Sequence, residues 1–146
     1  MKKIILIGRS GCGKTSLTQA MLGLRLTYKK TQAVGYHNLI IDTPGEYAET
    51  KQLASALALY SYEAQVVGLL LSANEPYSLF SPNITSQANR EVIGIITKID
   101  CGNADLSRAK RWLRLAGCKT IFPVSSFSGQ GLPALLDYLK EPGDTF

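Results

Sequence analysis

The sequence predicts an α/β protein with a doubly wound, mainly parallel sheet, because short apolar runs alternate with helical segments along the chain. Each run has the length and composition of a buried strand, and most of the runs lead into glycine or polar residues. Ligands of such sheets bind beyond the carboxyl ends of the strands. The residues that follow the runs are therefore the first candidates for a functional site.

Five strands and four helices are predicted. The strands are residues 3–7, 39–41, 66–71, 92–97 and 120–124, and the helices are residues 14–22, 47–60, 105–116 and 132–139. Gly23 is expected to end the first helix, and Asp105 is expected to cap the third. Residues 76–90 contain prolines and serines that favour a loop, so any helix there should be short.

Composition indicates one globular domain, residues 1–146, with 45% hydrophobic and 18% charged residues. No apolar run approaches the roughly 20 residues that span a bilayer. The N-terminal run from Ile4 to Ile7 is too short for a signal peptide. The three cysteines form no CxxC pair, which argues against a disulfide framework or a zinc site. We therefore expect a cytoplasmic protein with no membrane span.

The net charge of +5 admits several partners, including nucleic acid and phosphate ligands. The densest basic stretch is Arg108, Lys110, Arg111 and Arg114. It falls on a predicted amphipathic helix whose apolar stripe is Leu106, Ala109, Leu113 and Ala116. The basic residues are interpreted as a solvated face, because the stretch carries one aromatic residue, Trp112, and not a series of aromatic residues that could stack on bases. No DNA partner is expected.

Residues 8–15 match the pattern G-x-x-x-x-G-K-[ST], between a predicted strand and a predicted helix. The glycines let successive backbone N–H groups point at phosphate oxygens, and the helix N-terminus adds its partial positive charge. Lys14 would reach the β- and γ-phosphates, and the Thr15 hydroxyl would ligate Mg²⁺. The candidate nucleotide-binding residues of this P-loop are Gly8, Ser10, Gly11, Cys12, Gly13, Lys14, Thr15 and Ser16.

Asp42 begins a D-T-P-G string at the end of the second predicted strand, 27 residues after Thr15. A carboxylate at this position can hold the Mg²⁺ shell from the side opposite the P-loop. The backbone N–H of Gly45 would approach the γ-phosphate. Asp42 is therefore a candidate metal ligand, together with Thr15.

Thr97, Lys98 and Asp100 follow the fourth predicted strand in the string T-K-I-D. A carboxylate at Asp100 can accept hydrogen bonds from N1–H and the N2 amine of guanine, whereas adenine offers neither donor. The stem of Lys98 can lie along the base plane. Ser125, Ser126 and Phe127, after the fifth strand, would supply backbone N–H groups to the base oxygen.

In this order, the four motifs resemble the translation-factor-like small GTPases over nearly the whole chain. The strings Y-K-K-T-Q-A at residues 28–33 and D-T-P-G-E-Y at residues 42–47 are similar to those of the EutP/PduV family of ethanolamine and propanediol utilisation proteins. The resemblance implies association with bacterial microcompartments, and hence a shell or enzyme partner. Some family members are described as acetate kinases, so ATP-dependent phosphorylation of acetate is a rival activity.

The resemblance also implies that Thr31 is a switch threonine that contacts Mg²⁺ and the γ-phosphate. Two departures from typical small GTPases stand out. Only 10 residues separate Thr31 from Asp42, so the second strand should be shortened or missing. Glu46 replaces the glutamine that commonly orients the attacking water, which predicts slow hydrolysis. Thr97 in place of the commoner asparagine also removes an amide contact, which weakens the expectation of guanine selectivity.

The sequence thus predicts a GTP-binding, slowly hydrolysing switch that uses GTP or GDP with Mg²⁺, with ATP open as the alternative nucleotide. The candidate catalytic residues are Lys14, Thr31, Gly45 and Glu46, and the candidate metal ligands are Thr15, Thr31 and Asp42. The alternatives are an acetate kinase and a non-enzymatic targeting component of a microcompartment.

Overall fold

The computed structural model describes residues 2–8, 12–28, 40–42, 64–75, 80, 82–88 and 90–140. Its described strands form one sheet in the order β2-β1-β3-β4-β5, and every neighbouring pair is parallel. The strands are β1 (Ile4–Ile7), β2 (Ile40–Asp42), β3 (Val66–Ser72), β4 (Glu91–Thr97) and β5 (Ile121–Pro123). The predicted α/β class with a parallel sheet is confirmed.

The described helices are α1 (Lys14–Tyr28), α2 (Leu106–Ala116) and α3 (Leu132–Leu139), with a 3₁₀ helix at Ile84–Gln87. The bounds of α3 are those predicted, and the short 3₁₀ helix agrees with the loop expected over residues 76–90. The predicted helix 47–60 lies outside the described residues. The expected shortening of the second strand is not tested, because the residues between Thr31 and β2 also lie outside the described residues.

The prediction that Gly23 ends the first helix is wrong, because α1 continues to Tyr28. Gly23 is exposed, and nothing lies within 4 Å of the place where a Cβ would stand. A single glycine inside a helix costs only about 1 kcal/mol relative to alanine. The residues after it, Leu24 to Tyr28, contain no proline that would stop the helix.

Helix α2 begins as predicted, with the Asp105 carboxylate accepting a hydrogen bond of 3.0 Å from the backbone N–H of Arg108. Ala109, Leu113 and Ala116 are buried against the sheet, but Leu106 is 36% exposed and lies outside the core. Arg108 does not belong to a freely solvated face. Its guanidinium lies 5.1 Å from the centre of the Trp112 ring and donates to the backbone oxygen of Glu75 at 2.7 Å.

The core lies on both faces of the sheet, which is why the strands are continuous apolar runs. In β1, Ile4 and Leu6 face the side covered by α1 and α3, while Ile5 and Ile7 face the side covered by α2. All four side chains have no measurable exposure. The carboxyl ends of β1, β3, β4 and β5 therefore meet at one edge, between the helical layers.

Gly131 and Gly129 form a matched pair for testing the loop that joins β5 to α3, because both have a positive φ, +82° and +83°. A Cβ on Gly131 would collide with the backbone oxygen of Pro123, whereas a Cβ on Gly129 would meet nothing within 4 Å. We expect Gly131→Ala to lower the free energy of unfolding by about 3 kcal/mol, from backbone strain and overlap together. Gly129→Ala should cost only about 1 kcal/mol.

Urea unfolding of both variants, followed by circular dichroism, measures the difference. Equal losses of stability would contradict the close approach of Gly131 to β5.

Among the described helices, none is both long enough and apolar enough to cross a membrane.

Candidate nucleotide-binding site

The P-loop residues that the structure describes are arranged around Lys14, the first residue of α1. The Lys14 side chain is buried, and its ammonium group donates a hydrogen bond of 2.6 Å to the backbone oxygen of Gly8. Lys14 therefore spans the loop from its end to its beginning. Gly13, with a φ of +97°, makes the left-handed turn that leads into the helix. Ser10 and Gly11 lie outside the described residues.

Cys12 contributes packing to this loop rather than an accessible thiol. Its side chain is buried in the core, and a Cβ on Gly8 would stand 2.6 Å from its sulfur. Burial raises the pKa of the Cys12 thiol, while the nearby Lys14 ammonium opposes the rise. Gly8 must be glycine because the loop passes directly over this sulfur and over β3. The predicted contact of Cys12 with nucleotide would have to come from its backbone.

The predicted metal ligands are only partly covered by the described residues. Thr15 is exposed in the first turn of α1, beside Lys14. The backbone of Asp42 pairs with Leu6, so the carboxyl end of β2 lies next to the start of the P-loop. The Asp42 side chain is outside the described part, as are Thr31, Gly45 and Glu46. Their roles stay predictions.

Thr97, the last residue of β4, contacts the P-loop instead of pointing to solvent. Its hydroxyl donates a hydrogen bond of 2.5 Å to the backbone oxygen of Cys12. A Cβ on Gly13 would lie 3.6 Å from the same hydroxyl and 3.9 Å from Cε of Lys98. Thr97 thus joins the P-loop to β4, the strand that precedes Asp100. Sequence reasoning expected a lost amide contact at Thr97 and missed this one.

Replacement of Thr97 by valine should leave the buried Cys12 carbonyl without this donor. We expect Thr97→Val to lower the free energy of unfolding of the nucleotide-free protein by about 2 kcal/mol, the cost of an unsatisfied buried polar group. Thr97→Ser keeps the hydroxyl and loses one methyl group, so it should cost about 1 kcal/mol. Chemical denaturation measures both values, and a serine variant no more stable than the valine variant would contradict the bond.

The turn after β4 presents Lys98 and Asp100. Lys98 has a φ of +59°, an unusual conformation for a non-glycine residue, and its carbonyl accepts a hydrogen bond of 3.1 Å from the Cys101 N–H. Asp100 is exposed, in the middle of this turn. Strain of this kind clusters at binding sites, where the surrounding structure holds it in place.

The loop after β5 is shaped by Ser125, which is fully buried. Its hydroxyl accepts a hydrogen bond of 3.1 Å from the Ser128 N–H, and its own N–H donates to the backbone oxygen of Gln130 at 2.9 Å. The Ser125 side chain and N–H are thus engaged within the loop. Ser126 and Phe127 are the residues of this loop that face the site described next.

A cavity of about 620 Å³ joins the P-loop to the two loops that follow β4 and β5. Its volume is in the range of small-molecule sites. The lining residues come from the P-loop, α1 and both loops: Gly13, Ser16, Gln19, Ala20, Thr97, Lys98, Asp100, Cys101, Ser126 and Phe127. The cavity thus brings together six of the predicted nucleotide-binding residues, Gly13, Ser16, Thr97, Lys98, Asp100 and Ser126.

Sequence reasoning missed several residues at this edge of the sheet. Gln19 and Ala20 stand three and four positions after Ser16 on α1, which places them on the same helix face. Cys101 directly follows Asp100, but a cysteine at this position does not indicate a nucleotide-binding residue, so the sequence did not single it out. Glu75, beyond β3, is buried, and its negative charge contributes to the raised pKa of Cys12. No pattern in the sequence indicates that this carboxylate is buried.

Solved structures show the same architecture. The G domain of FeoB from Methanococcus jannaschii superposes with a TM-score of 0.59, and the similarity covers 94% of each chain at 19% sequence identity. At this identity the similarity establishes the fold alone. The chain thus has the small-GTPase type of P-loop fold that its motifs predict.

Curated proteins and a family model agree on the relatives of the chain. The propanediol utilization protein PduV of Citrobacter freundii is 45% identical over 96% of this chain and 94% of its own length. Proteins named "Probable acetate kinase EutP" from Escherichia coli K12 and Salmonella typhimurium are each 31% identical, over 95% of this chain and 89% of their own length. The model of the PduV-EutP family, described as ethanolamine utilisation and propanediol utilisation, matches residues 1–141, and the chain belongs to that family.

Proposed function

We propose that the protein is a GTP-binding, slowly hydrolysing P-loop switch that serves ethanolamine or propanediol utilisation. The observation that carries this proposal is the cavity that joins the P-loop to the turn with Asp100. A phosphate chain and a base need two differently equipped ends of one site. Gly13 and Ser16, from the P-loop and the start of α1, line this cavity together with Lys98 and Asp100 from the turn after β4, which supports such a division. Family membership supplies the metabolic context.

The phosphate end of the proposed site is built on Lys14 and the N-terminus of α1. In the structure the ammonium group donates a hydrogen bond to the uncharged Gly8 carbonyl, and a bound phosphate would offer it a charged acceptor instead. The backbone N–H groups of the first helical turn add partial positive charge. The Thr15 hydroxyl fits Mg²⁺, which prefers oxygen ligands, and Asp42 would complete the shell. When bound, the ion would neutralise phosphate charge.

The base end of the proposed site is built on the turn after β4. The exposed Asp100 carboxylate lines the cavity and would accept the two donors of guanine. The Lys98 stem passes beside Gly13, which brings it between the base end and the phosphate end. Ser126 would present a backbone N–H to the base oxygen.

Switching would depend on the segments that contain Thr31 and Gly45, which the γ-phosphate would order. Glu46 would make hydrolysis slow, because a second negative charge beside the γ-phosphate is repelled. The ordered segments would then bind a shell or enzyme partner of a bacterial microcompartment, with the protein itself in the cytoplasm.

Isothermal titration with GTP and ATP, each with Mg²⁺, tests the proposal directly. We expect GTP to bind at least tenfold more tightly than ATP, because adenine lacks the two donors of guanine and would leave the Asp100 carboxylate without a partner on the base. Hydrolysis of GTP should be measurable and slow. Equal or tighter binding of ATP would contradict the guanine assignment.

An ATP-dependent acetate kinase is the second candidate, favoured by the name of the EutP relatives, probable acetate kinase. It requires the same phosphate end and an acceptor site for acetate next to the γ-phosphate. Incubation with ATP, Mg²⁺ and acetate, with detection of acetyl phosphate as its hydroxamate, separates the two candidates. Product that forms in the wild type and not in Lys14→Ala would favour the kinase over the switch.

A further inference from the structure

Phe127, in the loop between β5 and α3, is far more exposed than the other large apolar side chains that the structure describes. Its relative exposure is 95%, compared with 57% for Leu115 and 36% for Leu106. A single exposed apolar residue is common on proteins and indicates nothing by itself. Phe127, however, also lines the cavity between the P-loop and Asp100.

The exposure of Phe127 comes from a defined turn. Ser128 N–H donates to the Ser125 hydroxyl at 3.1 Å, and Gly129 N–H donates to the Ser125 carbonyl at 2.8 Å. The Ser125 N–H closes the loop on the carbonyl of Gln130. These three bonds enclose residues 126 to 128, so the backbone holds the phenyl ring out of the core, at the rim of the cavity.

A purine base has a polar edge and two flat faces, and the stem of Lys98 can cover only one of the two faces. Asp100 would read the polar edge. The flat faces need apolar or aromatic contacts, and aromatic side chains stack well on any base because every base has a π face. The Thr97 hydroxyl is already donated to the Cys12 carbonyl, so its proton is not available to the base.

We propose that Phe127 stacks on the nucleobase and supplies affinity that does not depend on which base is bound, while Asp100 supplies the selection of guanine. The inference rests on the proposed function, because it assumes that the cavity holds a nucleotide. It assigns to Phe127 a side-chain role that the nucleotide motifs do not contain.

Calorimetric titration of Phe127→Ala with GDP, ADP and inorganic tripolyphosphate tests this role. We expect the Kd for GDP and the Kd for ADP to rise by the same factor, about tenfold, as stacking contributions of this size imply. The Kd for tripolyphosphate, which has no base, should not change. Leu115→Ala removes an exposed apolar side chain outside the cavity and should leave all three values unchanged.

Phe127→Trp gives a signal that a purely structural role would not produce. The indole should keep wild-type affinity for GDP, and its fluorescence should be quenched by GDP and unaffected by tripolyphosphate. Wild-type protein is the background, because Trp112 is the single tryptophan of the chain. Phe127→Leu, apolar and not aromatic, should bind GDP as weakly as the alanine variant.

The outcomes separate this inference from the function on which it rests. A GDP affinity that Phe127→Ala leaves unchanged would overturn the stacking role and leave the proposed function intact. An equal loss of tripolyphosphate binding would show that Phe127 maintains the loop, which also overturns the inference. A wild-type protein that binds tripolyphosphate but no nucleotide would remove the base site, and the inference with it.

Discussion

Lys14→Ala is expected to weaken the binding of GTP by about 100-fold, because it removes a charged donor to the phosphates that is worth about 2–3 kcal/mol. The position of Lys14 in the structure supports an effect of this magnitude on GTP affinity. The ammonium group is buried at the loop and already bonded to the Gly8 carbonyl, so it is held close to where phosphate oxygens would lie. Calorimetric titration with GTP and Mg²⁺ measures the change.

Two further variants make the Lys14 result specific. Arg111→Ala removes the same charge from the exposed face of α2, so it should alter GTP binding by less than about threefold through screened long-range attraction. Lys14→Arg keeps the charge but replaces a compact ammonium by a planar guanidinium, and it should not restore binding. Thermal unfolding must show that Lys14→Ala is folded, since it leaves the Gly8 carbonyl without this donor. A folded alanine variant with wild-type affinity would refute the phosphate site.

Asp100→Asn is expected to lower the affinity for GTP by about 100-fold and to improve the binding of xanthosine triphosphate at least tenfold, because hydrogen bonds to a charged acceptor are worth about 1.5–3 kcal/mol each. Xanthine carries a carbonyl oxygen where guanine carries its N2 amine. The asparagine amide can donate to that oxygen, whereas the aspartate would repel it. Competition against a fluorescent guanine nucleotide measures both affinities.

Asp137→Asn is the matched control for Asp100→Asn. It makes the same chemical change at an exposed position of α3 and should leave the preference for GTP over xanthosine triphosphate unchanged. Because Asp100 is also exposed, loss of folding is not expected in either variant. An Asp100→Asn protein that still prefers GTP as strongly as the wild type would show that the turn after β4 does not read the base.

The parallel sheet and the place of the site could be predicted from the sequence, for a simple physical reason. Parallel strands buried on both faces have to be short apolar runs, and their carboxyl ends meet at one edge. The motifs after β1, β4 and β5 therefore had to be neighbours in space. The cavity lined by Gly13, Asp100 and Ser126 agrees with that expectation.

The contacts that hold this edge together could not be predicted. The bond from Thr97 to the Cys12 carbonyl joins residues 85 positions apart, and neither residue type requires it. The burial of Glu75 depends on packing beyond the end of β3, where the sequence shows no periodicity. Helix α1 passes through Gly23, since a single glycine costs a helix only about 1 kcal/mol relative to alanine and does not by itself end it.

One hydrogen bond, from Thr97 to Cys12, has a consequence for the kinetics of ligand exchange. It joins the phosphate end and the base end of the proposed site before any nucleotide binds. The conformational entropy of arranging the two ends is therefore lost during folding and not on association. For the same reason the two ends would release together. Displacement of the end of β4 would therefore disturb the P-loop through this bond and shorten the residence time of the whole nucleotide.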